Sequence, residues 1–110
     1  MQDPHDHLPL KPADLHTLLA LAGGPLHGYG IMKEVERESR GEVRLEIGSL
    51  YRQLARLLHE GLLETGEGDG RRRYYSLSRF GRKVLRAEAR RLADLVDRVR
   101  VRKLLPGADA

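Results

Sequence analysis

The sequence predicts a mainly helical chain with a small β-hairpin, in which three short helices precede the hairpin and one long helix follows it. Three observations carry that expectation. Apolar residues recur at helical spacing in four separate segments. A glycine-rich turn between the third and fourth segments is flanked by two runs of strand-like composition. Glycine or proline interrupts the pattern near most boundaries.

The chain has 110 residues, enough for one domain. A hydrophobic fraction of 40% beside 33% charged residues is the composition of a globular chain rather than a disordered one. No apolar run approaches the roughly 18–20 residues that a membrane span needs, so no membrane partner is expected. Met1 to His7 lack the basic-then-apolar layout of a secretion signal. The absence of cysteine excludes disulfides, thiolate zinc sites and a cysteine nucleophile. These readings point to the cytoplasm. A net charge of +4 and a pI near 9.8 favour polyanionic partners such as DNA, although where the charge sits matters more than its sum.

Residues 1–12 are polar and rich in His, Asp and Pro, and read as a flexible N-terminal arm. From Ala13 to Ala22, Leu15, Leu18, Leu19 and Ala22 form a stripe for a first helix, with Asp14 suited to the dipole of its first turn. Gly23, Gly24 and Pro25 end it. A second helix is expected after His27 and Gly28, carrying Tyr29, Met32 and Val35 inward. Glu42 to Leu45 has room for one small strand. Ile47 to Glu60 is the clearest helix, with Ile47, Leu50, Leu54, Leu57 and Leu58 on one face and Gly61 placed for a left-handed C-cap. Leu62 to Thr65 and Arg71 to Leu77, around the turn Gly66 to Gly70, predict the hairpin. Ser78 then suits the N-cap of a long helix reaching about Lys103, before Pro106 and Gly107.

Three helices followed by a two-stranded wing is the winged helix-turn-helix arrangement, in which the third helix enters the DNA major groove and the hairpin reaches the adjacent backbone. The expected organisation is a DNA-binding unit over 13–77, a C-terminal dimerisation helix over 78–104 and a flexible tail over 105–110.

A helix that reads a groove needs small residues for close approach and donors for base edges and phosphates. Gly48 and Ser49 permit approach, while Arg52, Gln53 and Arg56 supply donors. Tyr51 can pack its ring inward and reach a phosphate with its hydroxyl. The blander reading of these residues is the wet face of an ordinary amphipathic helix. Arg71, Arg72 and Arg73 follow the turn, and guanidinium groups suit bidentate phosphate contact. Alternatively, they guard an exposed strand edge. Glu67 and Asp69 would repel phosphate, which puts the contact on the wing's flank.

In the last helix, Leu85, Ala89, Leu92, Val96 and Val99 make a narrow stripe on an element too long for a small core to cover. A two-fold partner would hide it, and Leu15 and Leu18 of the leucine-rich first helix are expected to share that interface. Catalytic readings are poor. Among five histidines, His5 and His7 sit in the arm, and His16, His27 and His59 lack metal-ligand spacing. The Gly-X-Gly pairs at Gly28–Gly30 and Gly66–Gly68 lack the third glycine and the flanking elements of a nucleotide fingerprint. No catalytic residues, cofactor or metal are expected.

Four motifs in order resemble the PadR family of bacterial transcriptional regulators. Leu26-His27-Gly28-Tyr29-Gly30-Ile31 is similar to the opening of that family's second helix. Gly48-Ser49-Leu50-Tyr51 with Leu54, Leu57 and Glu60-Gly61-Leu62-Leu63 resembles its recognition helix running into the wing. Arg71-Arg72-Arg73-Tyr74-Tyr75-Ser76-Leu77, then Gly81, is similar to its wing and the start of its last helix. The resemblance implies a homodimer on a palindromic operator, usually a repressor, with release by a small-molecule effector in many members. It also implies that Tyr29, Ser49, Tyr51, Arg52 and the wing arginines face DNA. Arg52 stands where the family often has proline, and would strengthen backbone contact. The alternative from another class is a winged-helix protein-interaction module that does not bind DNA.

Overall fold

The computed structural model describes residues 2–67, 70 and 72–107. Its elements are α1 (Pro12–Leu21), β1 (Leu26–His27), α2 (Gly28–Glu38), α3 (Ile47–His59), β2 (Leu63–Glu67), β3 (Arg73–Leu77) and α4 (Arg79–Val101). The three strands form one antiparallel sheet in the order β1-β3-β2. Helices α1 to α3 enclose a core of Leu18, Leu21, Ile31, Val35, Leu50, Leu54 and Leu57. Leu62, Leu63, Tyr75 and Val84 close it from the wing and α4. The chain is mainly helical with a small sheet, as the periodicity predicts.

The end of α3 follows from its sequence. Gly61 takes φ +81°, a conformation open to glycine without a Cβ penalty. Its N–H bonds to the Leu58 carbonyl at 3.0 Å, and the Leu62 N–H bonds to the Leu57 carbonyl at 2.9 Å. This pair of reversed bonds satisfies two carbonyls that a helix end would otherwise orphan. It also turns the chain directly into the hairpin, where Leu63 pairs with Leu77 and Thr65 with Tyr75.

Several local expectations are corrected. Residues 42–45 form no strand; the third strand is Leu26–His27, paired with Tyr75 and Tyr74. The Ser39 hydroxyl accepts from the Val43 N–H at 3.0 Å and donates to the Val43 carbonyl at 3.2 Å, giving that backbone the partner a strand would have supplied. In α1 the buried positions are Asp14, Thr17, Leu18, Ala20 and Leu21, whereas Leu19 and, at the C-cap, Ala22 are exposed. A helix with leucines on several sides does not announce which side is covered. In α2, Ile31 and Val35 are buried, and Tyr29 is 56% exposed rather than inward. Ile47 is likewise exposed at the start of α3.

The N-terminal segment is folded, contrary to the flexible arm expected over 1–12. Pro4–His7 forms a 3-10 helix capped by Asp3, and the His7 ring meets Phe80 edge-on at 5.4 Å. Leu8 and Leu10 pack on the core. The Leu10 N–H donates to Glu88 Oε2 at 2.9 Å, and Arg91 holds the other oxygen at 2.5 Å. Glu88 is 0% exposed, so its charge depends on these two donors. The Arg91 hydrogen bond, aided by the Leu10 N–H, holds the Glu88 carboxyl below its ordinary value against the opposing effect of burial. A carboxyl with a lowered folded value stabilises the fold above its unfolded pKa, and that contribution is lost as pH falls through the folded value. Acid titration of stability should therefore show a component that Glu88→Gln removes, checked by urea unfolding between neutral pH and about pH 3. Parallel pH profiles for the two proteins would refute it.

Candidate nucleic-acid interface

The recognition-helix candidate α3 presents three sides. Leu50, Leu54 and Leu57 point into the core. Gly48, Ser49, Tyr51, Arg52, Ala55 and His59 are exposed. Arg52 stands between small residues, since Gly48 lies about one turn before it and Ala55 about one turn after. A Cβ at Gly48 would meet nothing within 4 Å, so the backbone there is open to a groove. The Ser49 hydroxyl donates to the Glu46 carbonyl at 3.2 Å, holding it at the helix start.

Beside this helix lies a cleft of about 400 Å³ lined by His27, Gly28, Tyr29, Tyr51, Arg72, Arg73 and Tyr75. It joins the start of α2, the first turns of α3 and the near end of β3. Tyr29, Tyr51, Arg72 and Arg73, proposed separately from sequence, thus meet in one place. The Tyr51 ring end packs directly on the start of α2: a Cβ at Gly28 would lie 2.7 Å from its hydroxyl oxygen, so a larger residue there would displace the tyrosine tip. Tyr51 is 50% exposed, with its hydroxyl end at the cleft. The Lys33 ammonium sits 5.6 Å from the centre of the Tyr29 ring, within cation–π range. Arg72 and Arg73 are exposed. Arg71 and Asp69 lie outside the described residues.

His27 is a site residue that sequence reasoning missed. Its Nδ1 accepts from the Gly30 N–H at 3.1 Å and so caps α2, while its Nε2 faces Arg72 Nη1 at 3.0 Å. A neutral imidazole offers one acceptor nitrogen, so these two donors compete for it. Its ring packs with those of Tyr29 and Tyr74. The available signal was its place one residue before a helix-opening glycine, which suits a capping acceptor.

Gln53 and Arg56 make contacts to α1 that the sequence did not foretell, Gln53 half-buried and Arg56 with its side chain still 43% exposed. Gln53 Nε2 donates to Asp14 Oδ1 at 3.0 Å and Thr17 Oγ1 at 3.1 Å. Arg56 Nη2 donates to Asp14 Oδ1 at 2.6 Å, and its Nη1 to Glu60 Oε2 at 3.1 Å. The hydrogen bond to Asp14 is the main cause of a raised Arg56 value, with Glu60 adding to it. Both donors are therefore engaged within the chain.

Of the residues assigned to a dimer seam, Leu18 is corrected: it is fully buried in its own core and has no surface to offer a partner. Leu85 is partly covered by that same core. Leu15, Leu92, Val96 and Val99 are half-buried, and Ala89 is exposed. Leu19, Leu95, Val101, Leu104 and Leu105 add exposed apolar surface that the stripe did not include.

No helix among the described residues is long and apolar enough to cross a membrane, and none of their His, Asp and Glu groups is arranged to hold a metal ion.

Comparison with known proteins agrees with this geometry. The sequence profile of the transcriptional regulator PadR-like family matches residues 17–87. The chain is 45% identical over 87 residues to an uncharacterized 37.1 kDa protein in transposon TN4556 of Streptomyces fradiae. That span is 79% of this chain and 25% of the relative, so the chain spans a quarter of the relative's length. In structure it is similar to a transcriptional regulator from Clostridium thermocellum, with TM-score 0.68 and 25% identity over 84% of this chain and 92% of that one. RosR from H. salinarum gives TM-score 0.65 and 28% identity over 94% and 86%. PadR from Bacillus subtilis, solved in complex with operator DNA, shares the fold with TM-score 0.60 and 23% identity over 72% and 46%. The profile match runs from α1 through α3 and the hairpin into α4, and on that span the chain belongs to the transcriptional regulator PadR-like family.

Proposed function

We propose that the chain is a cytoplasmic, sequence-specific DNA-binding regulator that acts as a homodimeric repressor on a palindromic operator. One observation supports the reading: Tyr29 of α2, Tyr51 of α3 and the arginines at and just before the start of β3, Arg73 and Arg72, line a single cleft, and Arg52, next to Tyr51 in the chain, is exposed. Such a surface suits phosphate oxygens at the cleft and a base edge at Arg52. Release by a small-molecule effector belongs to the proposal on family resemblance alone. The duplex-binding surface is Tyr29, Ser49, Tyr51, Arg52, Arg72 and Arg73, with Arg71 included on its sequence position.

Mobility shift on the DNA upstream of the protein's own coding sequence tests this. Arg52→Ala should weaken operator binding by ~1–3 kcal/mol, mostly by relaxing discrimination at one base pair. Replacing Arg71, Arg72 and Arg73 together by alanine should instead weaken binding to all duplexes. It should also flatten the salt dependence by about 0.9 in log–log slope per phosphate lost. Unchanged binding in both variants, with the fold intact, would remove the surface. A wild-type protein with no salt-sensitive shift would favour the protein-interaction module instead.

A further inference from the structure

Asp14 is buried on α1, yet no contact of its carboxylate serves α1 itself. Its Oδ1 accepts from Gln53 and from Arg56, on successive turns of α3. Thr17, also fully buried and one turn along α1, shares the Gln53 donor. Glu60 takes the second amino group of Arg56. Both amino nitrogens of a guanidinium at the edge of the proposed reading surface are thus occupied by carboxylates of its own chain.

We propose that Asp14 is a positioning and specificity-determining residue: it braces the recognition helix against α1 and withholds Arg56 from DNA phosphate. The inference rests on the DNA-binding reading of α3. Its physical content is electrostatic. Asp14 and Glu60 hold the two amino groups of Arg56, so a phosphate gains little from this guanidinium unless it displaces a carboxylate, even though Lys11 and Arg44 line the same groove. The operator is then gripped through Arg52 and the wing, and the roll of α3 that aims Arg52 is fixed by two donors held on a buried acceptor. A carboxylate removed from water strengthens such bonds, which makes the brace directional rather than a loose surface pair.

Removing the charge should convert Arg56 into an indiscriminate phosphate contact. In Asp14→Asn, fluorescence anisotropy on operator and random duplexes should show a random-duplex salt slope steeper by about 1 per subunit. The operator-over-random affinity ratio should fall about tenfold, within the range one base-reading side chain carries. Adding Arg56→Met to Asp14→Asn should return the slope to the wild-type value, a rescue that a merely structural defect would not give. A slope and ratio that stay at wild-type values in Asp14→Asn overturn the proposal. If Asp14→Asn does not fold, Arg56→Met alone decides: an unchanged salt slope supports withholding, and a flattened one shows that Arg56 already contacts phosphate and overturns it. The wild-type titration separates the two levels, since a wild type without salt-dependent DNA binding defeats the regulator reading itself.

Discussion

Gly81→Ala should destabilise the fold by about 3 kcal/mol, although the same change inside an ordinary helix is worth about 1 kcal/mol of stabilisation. The opposite sign comes from the root of the wing. Ser78 caps α4, its hydroxyl accepting from the Gly81 N–H at 2.8 Å and donating to the Gly61 carbonyl at 2.6 Å. Its own N–H bonds to the Leu62 carbonyl at 3.0 Å. These three bonds draw the first turn of α4 onto the backbone just after α3. A Cβ on Gly81 would lie 2.9 Å from the Leu62 carbonyl carbon and 3.2 Å from its Cα, and closer still to the carbonyl oxygen. Backbone at that point cannot swing aside as a side-chain tip can, because Leu62 is itself buried and its N–H closes the cap of α3. The methyl group must therefore push α4 away and break the bonds at Ser78. Urea unfolding should show a lower midpoint with an unchanged slope; equal or greater stability would mean that the contact at Leu62 does not constrain α4. Since β3 leads into Ser78, a surviving fraction of folded protein should also bind DNA less well through its displaced wing.

Much of this frame was legible from residues whose effect is local. Gly61 at the end of an apolar stripe, Ser78 before another, and a glycine turn between strand-like runs each specify backbone geometry within a few residues. What stayed hidden depends on partners far away in the chain. Gln53 and Arg56 read as outward donors because helical period tells which residues lie off the core, not what they face; Asp14 lies 39 and 42 positions away. Glu88 reads as a surface charge for the same reason, and with it the docking of the N-terminal segment goes unseen. β1 is too short at two residues for any period to register. The cleft was legible in part: its arginines and Tyr51 stand out as donors, whereas Tyr29 was placed inward by period and outward only by family resemblance.

The largest loss of DNA affinity is expected from Leu92→Arg, which touches neither the reading helix nor the wing. In α4 the buried residues are Gly81, Val84 and Glu88, so the core covers its first half. The helix continues to Val101, for a total length of roughly 34 Å at 1.5 Å per residue. Over the second half, Leu92, Leu95, Val96 and Val99 recur on one side, and Val101 and Leu104 are 79% and 73% exposed. Apolar surface of that extent is unusual on a monomer, and on the proposed dimer it forms the seam. A two-fold axis doubles each substitution. Leu92 is already half-buried in its own protomer, so losing two leucines at ~0.75–1.5 kcal/mol each would weaken self-association by ~1.5–3 kcal/mol, about one to two decades in the dissociation constant. The two like charges brought together would add to that. A dimer presents its second reading helix at high effective concentration to a half-site one helical turn, roughly 34 Å, away. A monomer must find each half-site separately. Sedimentation should therefore show monomers, and operator affinity should fall about a hundredfold or more. Binding to random DNA per subunit should keep its salt slope, because Arg52 and the wing are untouched. A variant that still sediments as a dimer would move the seam elsewhere. Monomers with undiminished operator affinity would show that one chain reads the whole site.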